Sequence, residues 1–66
     1  MFKVGDRVRI LENAFPDSDD PEDAKARGKV GTIVWDMGDG LWHVEVEELD
    51  DPYCPVLESE IELVAP

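Results

Sequence analysis

Sixty-six residues carry seventeen acids against six bases, a formal net charge of −11, with one cysteine and one histidine. A chain this short makes one small domain burying about 60% of the surface its unfolded form exposes, and its single thiol excludes an intramolecular disulfide and a Cys-cluster metal site. No apolar run approaches the roughly 20 residues of a membrane span and no apolar leader follows Met1-Phe2-Lys3, so the expectation is a cytoplasmic protein without a membrane partner.

All six basic residues, Lys3, Arg7, Arg9, Lys25, Arg27 and Lys29, precede position 30 and share that stretch with seven acids; residues 30–66 hold the other ten acids and no base. Binding phosphates requires clustered Lys and Arg. The asymmetry therefore argues against direct nucleic-acid binding and suits an electropositive protein partner, with an acidic surface that serves only solubility as the plain alternative.

Taken in order, Arg7-Val8-Arg9-Ile10 reads as a first strand after a Gly5-Asp6 turn, Val8 and Ile10 inward and the arginines outward, where local acids are their expected cross-strand partners. Glu12 to Ala26 is a long acidic connection holding Pro16, Pro21 and five acids between positions 17 and 23. It is read as a solvated loop with at most one short helical turn, capped by Ser18 or Asp20 ahead of Pro21. A calcium loop starting at Asp17 fails, since its sixth position is Glu22 rather than Gly. Phe15 is expected either to plug one end of the fold or to stand exposed.

Arg27 to Glu47 reads as one long β-hairpin. Gly28 and Gly31 predict a positive φ or a backbone approach too close for a Cβ. Met37-Gly38-Asp39-Gly40 supplies the tip, with the tightest turn at Gly38 to Gly40. The second arm alternates strictly, Trp42, Val44 and Val46 on one face and His43, Glu45 and Glu47 on the other. Trp35 and Trp42 flank the tip, and a cross-strand aromatic pair is the ordinary expectation; a ligand platform is the sharper one.

Glu48 to Tyr53 is a second acidic loop, and Cys54-Pro55-Val56-Leu57 a short strand whose proline suits a sheet edge or a strand start. Ser59-Glu60-Ile61-Glu62 has capping-box spacing and predicts one 3₁₀ turn before a last strand returning beside the first. The candidate core is Val4, Val8, Ile10, Val30, Ile33, Trp42, Val44, Val46, Val56, Ile61 and Leu63, each worth about 1.5 to 3 kcal/mol when buried.

The predicted fold is thus all-β, a single domain over residues 1–66 with a long acidic loop at about 12–26. Val4-Gly5-Asp6-Arg7-Val8-Arg9-Ile10, Gly28-Lys29-Val30-Gly31-Thr32-Ile33-Val34, Trp42-His43-Val44-Glu45-Val46 and Glu58 to Val64 together resemble the small bacterial and phage SH3-like domains, KOW-type and related families. The resemblance covers nearly the whole chain and implies a five-stranded SH3-like barrel with a 3₁₀ turn before its last strand. It also implies nucleic-acid or ribosome binding, as in KOW domains, or peptide binding, as in eukaryotic SH3 domains. KOW-like RNA contacts rely on basic loops, however, and Asp36 to Gly40 and Glu48 to Tyr53 contain no Lys or Arg.

Catalysis finds no support. His43 beside Glu45 reads as an exposed cross-strand residue, and Cys54, with no cation near it in sequence to lower its pKa, as a small apolar filler. No catalytic residue, metal or cofactor is assigned. The functional expectation is a non-enzymatic protein-interaction module docking on a basic protein surface, in its bolder form a phage-type inhibitor that mimics nucleic acid. The partner-binding candidates are Glu45, Glu47, Glu48, Asp50, Asp51, Glu58 and Glu60, with Trp35 and Tyr53 as apolar anchors. The alternative is a KOW-like nucleic-acid-binding domain using the six N-terminal basic residues.

Overall fold

In the computed structural model of the chain, which describes residues 2–50 and 52–64, the alternating segment Arg7–Ile10 forms strand β1 with Val8 and Ile10 fully buried and both arginines exposed. The nine residues Val30–Gly38 form β2, Leu41–Glu45 β3, Tyr53–Leu57 β4 and Ile61–Leu63 β5. Every pairing is antiparallel and the sheet order is β4-β3-β2-β1-β5, so the chain meanders through four strands and its last strand returns to the far side of β1. The sheet is open, with β4 and β5 as its edges. Pro55 does lie on an edge strand, as its missing N–H requires.

Two glycines shape the sheet, each for one of the two reasons the sequence suggests. Gly28 has φ +83°, a region that side chains with a Cβ rarely adopt. At Gly31, opposite Val8, a Cβ would lie 2.5 Å from the Glu45 carbonyl oxygen and 2.7 Å from Val44 Cγ1. The end of β3 therefore crosses close over the inner face of β2 there, which curls the sheet around its core. Asp39 and Gly40, at φ 55° and 79°, close the β2–β3 hairpin as a two-residue turn.

The core holds Val8, Ile10, Ile33, Trp42, Val44, Val46, Val56 and Ile61; loops contribute Ala14 and Leu49 to it, and the short helix at the end of the acidic connection contributes Ala26. Three expected core residues belong elsewhere: Val4, in the turn before β1, and Leu63, on the edge strand, are more than half exposed, and Val30 is only half-buried. Cys54 is buried, as a filler would be.

The acidic connection is better anchored than its composition suggests. Asp20 caps helix α1 (Pro21–Ala26), accepting the Glu22 N–H at 2.9 Å, with Pro21 in the first turn. Six residues make less than two turns. Arg27 reaches back to donate to the carbonyls of Ala14 and Phe15, both at 2.8 Å. Phe15, at φ 55°, packs half-buried against the core, so the plug is the alternative realised. The 3₁₀ turn spans Glu58–Glu60 with Leu57 at its N-cap, two residues ahead of the expected cap Ser59. Glu60 Oε1 accepts the Leu57 N–H at 2.8 Å, while Glu62 pairs with Arg9 on β1.

Candidate interaction surface

Cross-strand register sorts the outer face of the sheet into rows. Arg7, Thr32, Glu45 and Tyr53 are successive partners across β1, β2, β3 and β4 and form a polar row. Trp35, His43 and Pro55 form the next row, and Leu41 pairs with Leu57 beyond it. The second and third rows are apolar apart from the imidazole.

A β-bulge creates this arrangement. Ile33 pairs with Val44 on the inner face, so strict alternation along β2 would also turn Trp35 inward. Instead the register shifts at Val34: one extra residue separates Ile33 from Trp35, and Trp35 pairs with outward-facing His43. The indole is 65% exposed. Trp42 lies on the inner face, edge-on to Phe2 with ring centroids 6.2 Å apart. The expected Trp35–Trp42 pair therefore does not form, because the bulge puts the two indoles on opposite faces.

Around Trp35 the outer face is a shallow shelf. Two adjoining depressions share Trp35 and His43; one is completed by Met37, the other by Val34 and Tyr53. His43 and Tyr53 meet edge to face, 5.5 Å between centroids and 74° between planes, the favoured geometry for two aromatic quadrupoles. Val34, Trp35, Met37, Tyr53 and Leu57 are each at least 40% exposed, an apolar concentration that a domain this small does not need for folding.

The acids frame the shelf at its ends. Glu45 sits opposite Tyr53 and is half-buried; Glu47, Glu48 and Asp50 follow in the β3–β4 loop and are exposed. Glu45, Glu47 and Glu48 also line, with Arg7 and Thr32, a cleft of about 120 Å³ whose lining holds three acids and one base. Lys29 Nζ bonds Glu48 Oε2 at 2.9 Å, an exposed pair worth about 0 to 1 kcal/mol that leaves this end strongly negative.

The expected single acidic face is thus divided. Glu45, Glu47, Glu48 and Asp50 gather at the Tyr53 end of β4. Glu58 follows Leu57 at the other end, about 13 Å away along the strand, its N–H bonded to the Gly40 carbonyl at 2.9 Å. Asp51 lies outside the described residues. Glu60 is not on the face at all: it is 7% exposed and its carboxylate holds the turn before β5. His43 was missing from the expected binding set, although its outward phase on β3 was legible; Val34 and Met37 carry no comparable signal.

The basic residues are dispersed, and the side chains of five of the six are engaged. Arg9 pairs with Glu62 at 3.1 Å, Lys25 with Glu22 at 3.6 Å and Lys29 with Glu48 at 2.9 Å, while Arg27 holds the acidic loop. Arg7 makes a long 3.5 Å contact with Thr32 Oγ1 beside the acidic cleft. Among the described residues no helix is long and apolar enough to cross a membrane. Comparison of the chain with protein-family models, with curated proteins and with solved structures gives no match.

Proposed function

We propose that this chain is a small, acidic, non-enzymatic interaction module, an open SH3-like barrel working in the cytoplasm, that docks on a basic protein surface through the outer face of β2, β3 and β4. The observation that carries the reading is the adjacency of an exposed aromatic shelf to four acids of one sign, Glu45, Glu47, Glu48 and Asp50. Interfaces draw most of their affinity from a few buried aromatic or arginine anchors, whereas complementary charge chiefly accelerates encounter and selects the partner. Trp35 and Tyr53 supply the first and the loop acids the second. The strand order and the 3₁₀ turn before β5 support the SH3-like reading. In the narrower version, a phage-type mimic, Glu47, Glu48 and Asp50 stand in for phosphates.

The test is affinity capture followed by association kinetics on the purified partner. Reversing Glu47, Glu48 and Asp50 to Lys should slow the on-rate at least tenfold and flatten its salt dependence, while reversing Arg7 and Arg9 to Glu changes it far less. Capture that nuclease treatment abolishes and the Arg7/Arg9 reversal destroys would replace this reading with direct nucleic-acid binding. A triple-Lys variant that binds as fast as the parent would also sink it.

A further inference from the structure

We infer that the shelf of Trp35, His43 and Tyr53 receives an arginine side chain of the basic partner, with Glu45 as its counter-charge; this rests on the docking reading above and specifies what docks. The shelf is lined by three aromatic rings, and Glu45 is the acid paired directly with one of them, Tyr53. Glu45 lies two residues along β3 from His43, on the same face, and directly opposite Tyr53. Successive outward positions on a strand are about 6.6 Å apart, a distance a guanidinium with its stem can bridge.

The occupant must match both features. A flat guanidinium stacks on an aromatic face, is more weakly hydrated than an ammonium, and offers a rigid fork to a carboxylate. Its methylenes would lie along Val34 and Met37, which border the two depressions. A lysine matches the charge and the stem but has no plane to stack. A second copy of this chain is disfavoured, because Glu47, Glu48 and Asp50 at one end and Glu58 at the other would face their own kind in a molecule of net charge −11. The bulge adds weight: it holds an indole in water that regular pairing would bury, and bulges commonly serve to re-aim a side chain.

The experiment is a ¹H–¹⁵N titration of the whole chain with three peptides, acetyl-Leu-Arg-Leu-Arg-Leu-amide and the same peptide with lysine or norleucine in place of arginine. The arginine peptide should move the Trp35 indole N–H and the amides of His43, Glu45 and Tyr53, leaving the buried Trp42 indole as an internal control. Lysine should bind about threefold more weakly or worse, and norleucine at least tenfold more weakly. Trp35→Leu, at an exposed site, and Glu45→Gln should each weaken the arginine peptide several-fold while the remaining spectrum stays folded. Equal shifts from the arginine and lysine peptides, confined to residues 47–50, would overturn the shelf while the docking reading survives. Norleucine binding as well as arginine would overturn it in favour of a plain apolar groove. If no peptide moved either the shelf or the acidic loop, the docking reading would fall as well.

Discussion

The two tryptophans of the β2–β3 hairpin lie seven residues apart and end in opposite surroundings. Trp42 belongs to β3, whose alternation is unbroken from Leu41 to Glu45, and its ring is buried against Phe2. Trp35 belongs to the second half of β2, where one inserted residue reverses the phase and turns the ring to solvent. Composition cannot separate the two residues; ladder register can. A side chain's role in a sheet follows from its phase relative to the partner strand, and a single extra residue on one strand is enough to move an aromatic from core to surface.

Removing each ring in turn would break this comparison most directly. Trp42→Ala should cost about 3 to 5 kcal/mol, enough to unfold much of so small a domain, as read by urea denaturation; a loss below about 1 kcal/mol would mean the ring is not a core element. Trp42→Phe should cost much less, because the indole Nε1 has no acceptor among the described residues and phenylalanine removes that unmet donor along with little volume.

Next in size is Gly31→Ala. Its new methyl would meet the Glu45 carbonyl and Val44, backbone and packed core rather than a movable side-chain end, so a cost of about 1 to 3 kcal/mol is expected. An unchanged urea midpoint would show that the curl of β3 over β2 is looser than described.

Smaller still is the effect of salt. The exposed like charges Glu47, Glu48 and Asp50 are near neighbours in the chain, and the Debye length at physiological ionic strength is about 8 Å, so they repel unless salt is added and the melting temperature should rise by a few degrees with sodium chloride. A falling curve would instead assign net stabilisation to the Lys29–Glu48 and Arg9–Glu62 pairs. The smallest change belongs to Trp35→Leu, expected within about 0.5 kcal/mol of the parent because the ring is exposed. A loss as large as that of Trp42→Ala would make both rings structural and remove the contrast between them.

Much of the fold was legible because short-range rules govern it. The alternation of β1 and β3, the Asp39-Gly40 turn, the Asp20-Pro21 helix start and the two roles of Gly28 and Gly31 each follow from residues adjacent in sequence. The misplacements arise where the answer depends on a distant strand. The bulge at Val34 exists only relative to β3, so the Trp35–Trp42 pair looked natural from the sequence. Leu49, Ala14 and Ala26 enter the core singly from polar segments, where one apolar residue makes no period. Glu60 was counted among surface acids because its neighbours are acidic, whereas the turn begins two residues earlier than the Ser59 spacing suggests and takes that carboxylate inward. Of the expected surface residues, Trp35, Tyr53, Glu47, Glu48, Asp50 and Glu58 are exposed, whereas the inward turn of Glu60 and the division of the acids between the two ends of β4 depend on distant strands.

An open sheet leaves two rims at which another chain's backbone can add itself, and the two rims of this one are poor templates for different reasons. β5 is three residues long and carries Glu62, too short and too charged to seed a ladder. β4 is longer, but Pro55 at its centre offers no N–H to an incoming strand. Both rims therefore offer an incoming strand a poor template although the sheet is not closed, and stacking of copies edge to edge is disfavoured at either end.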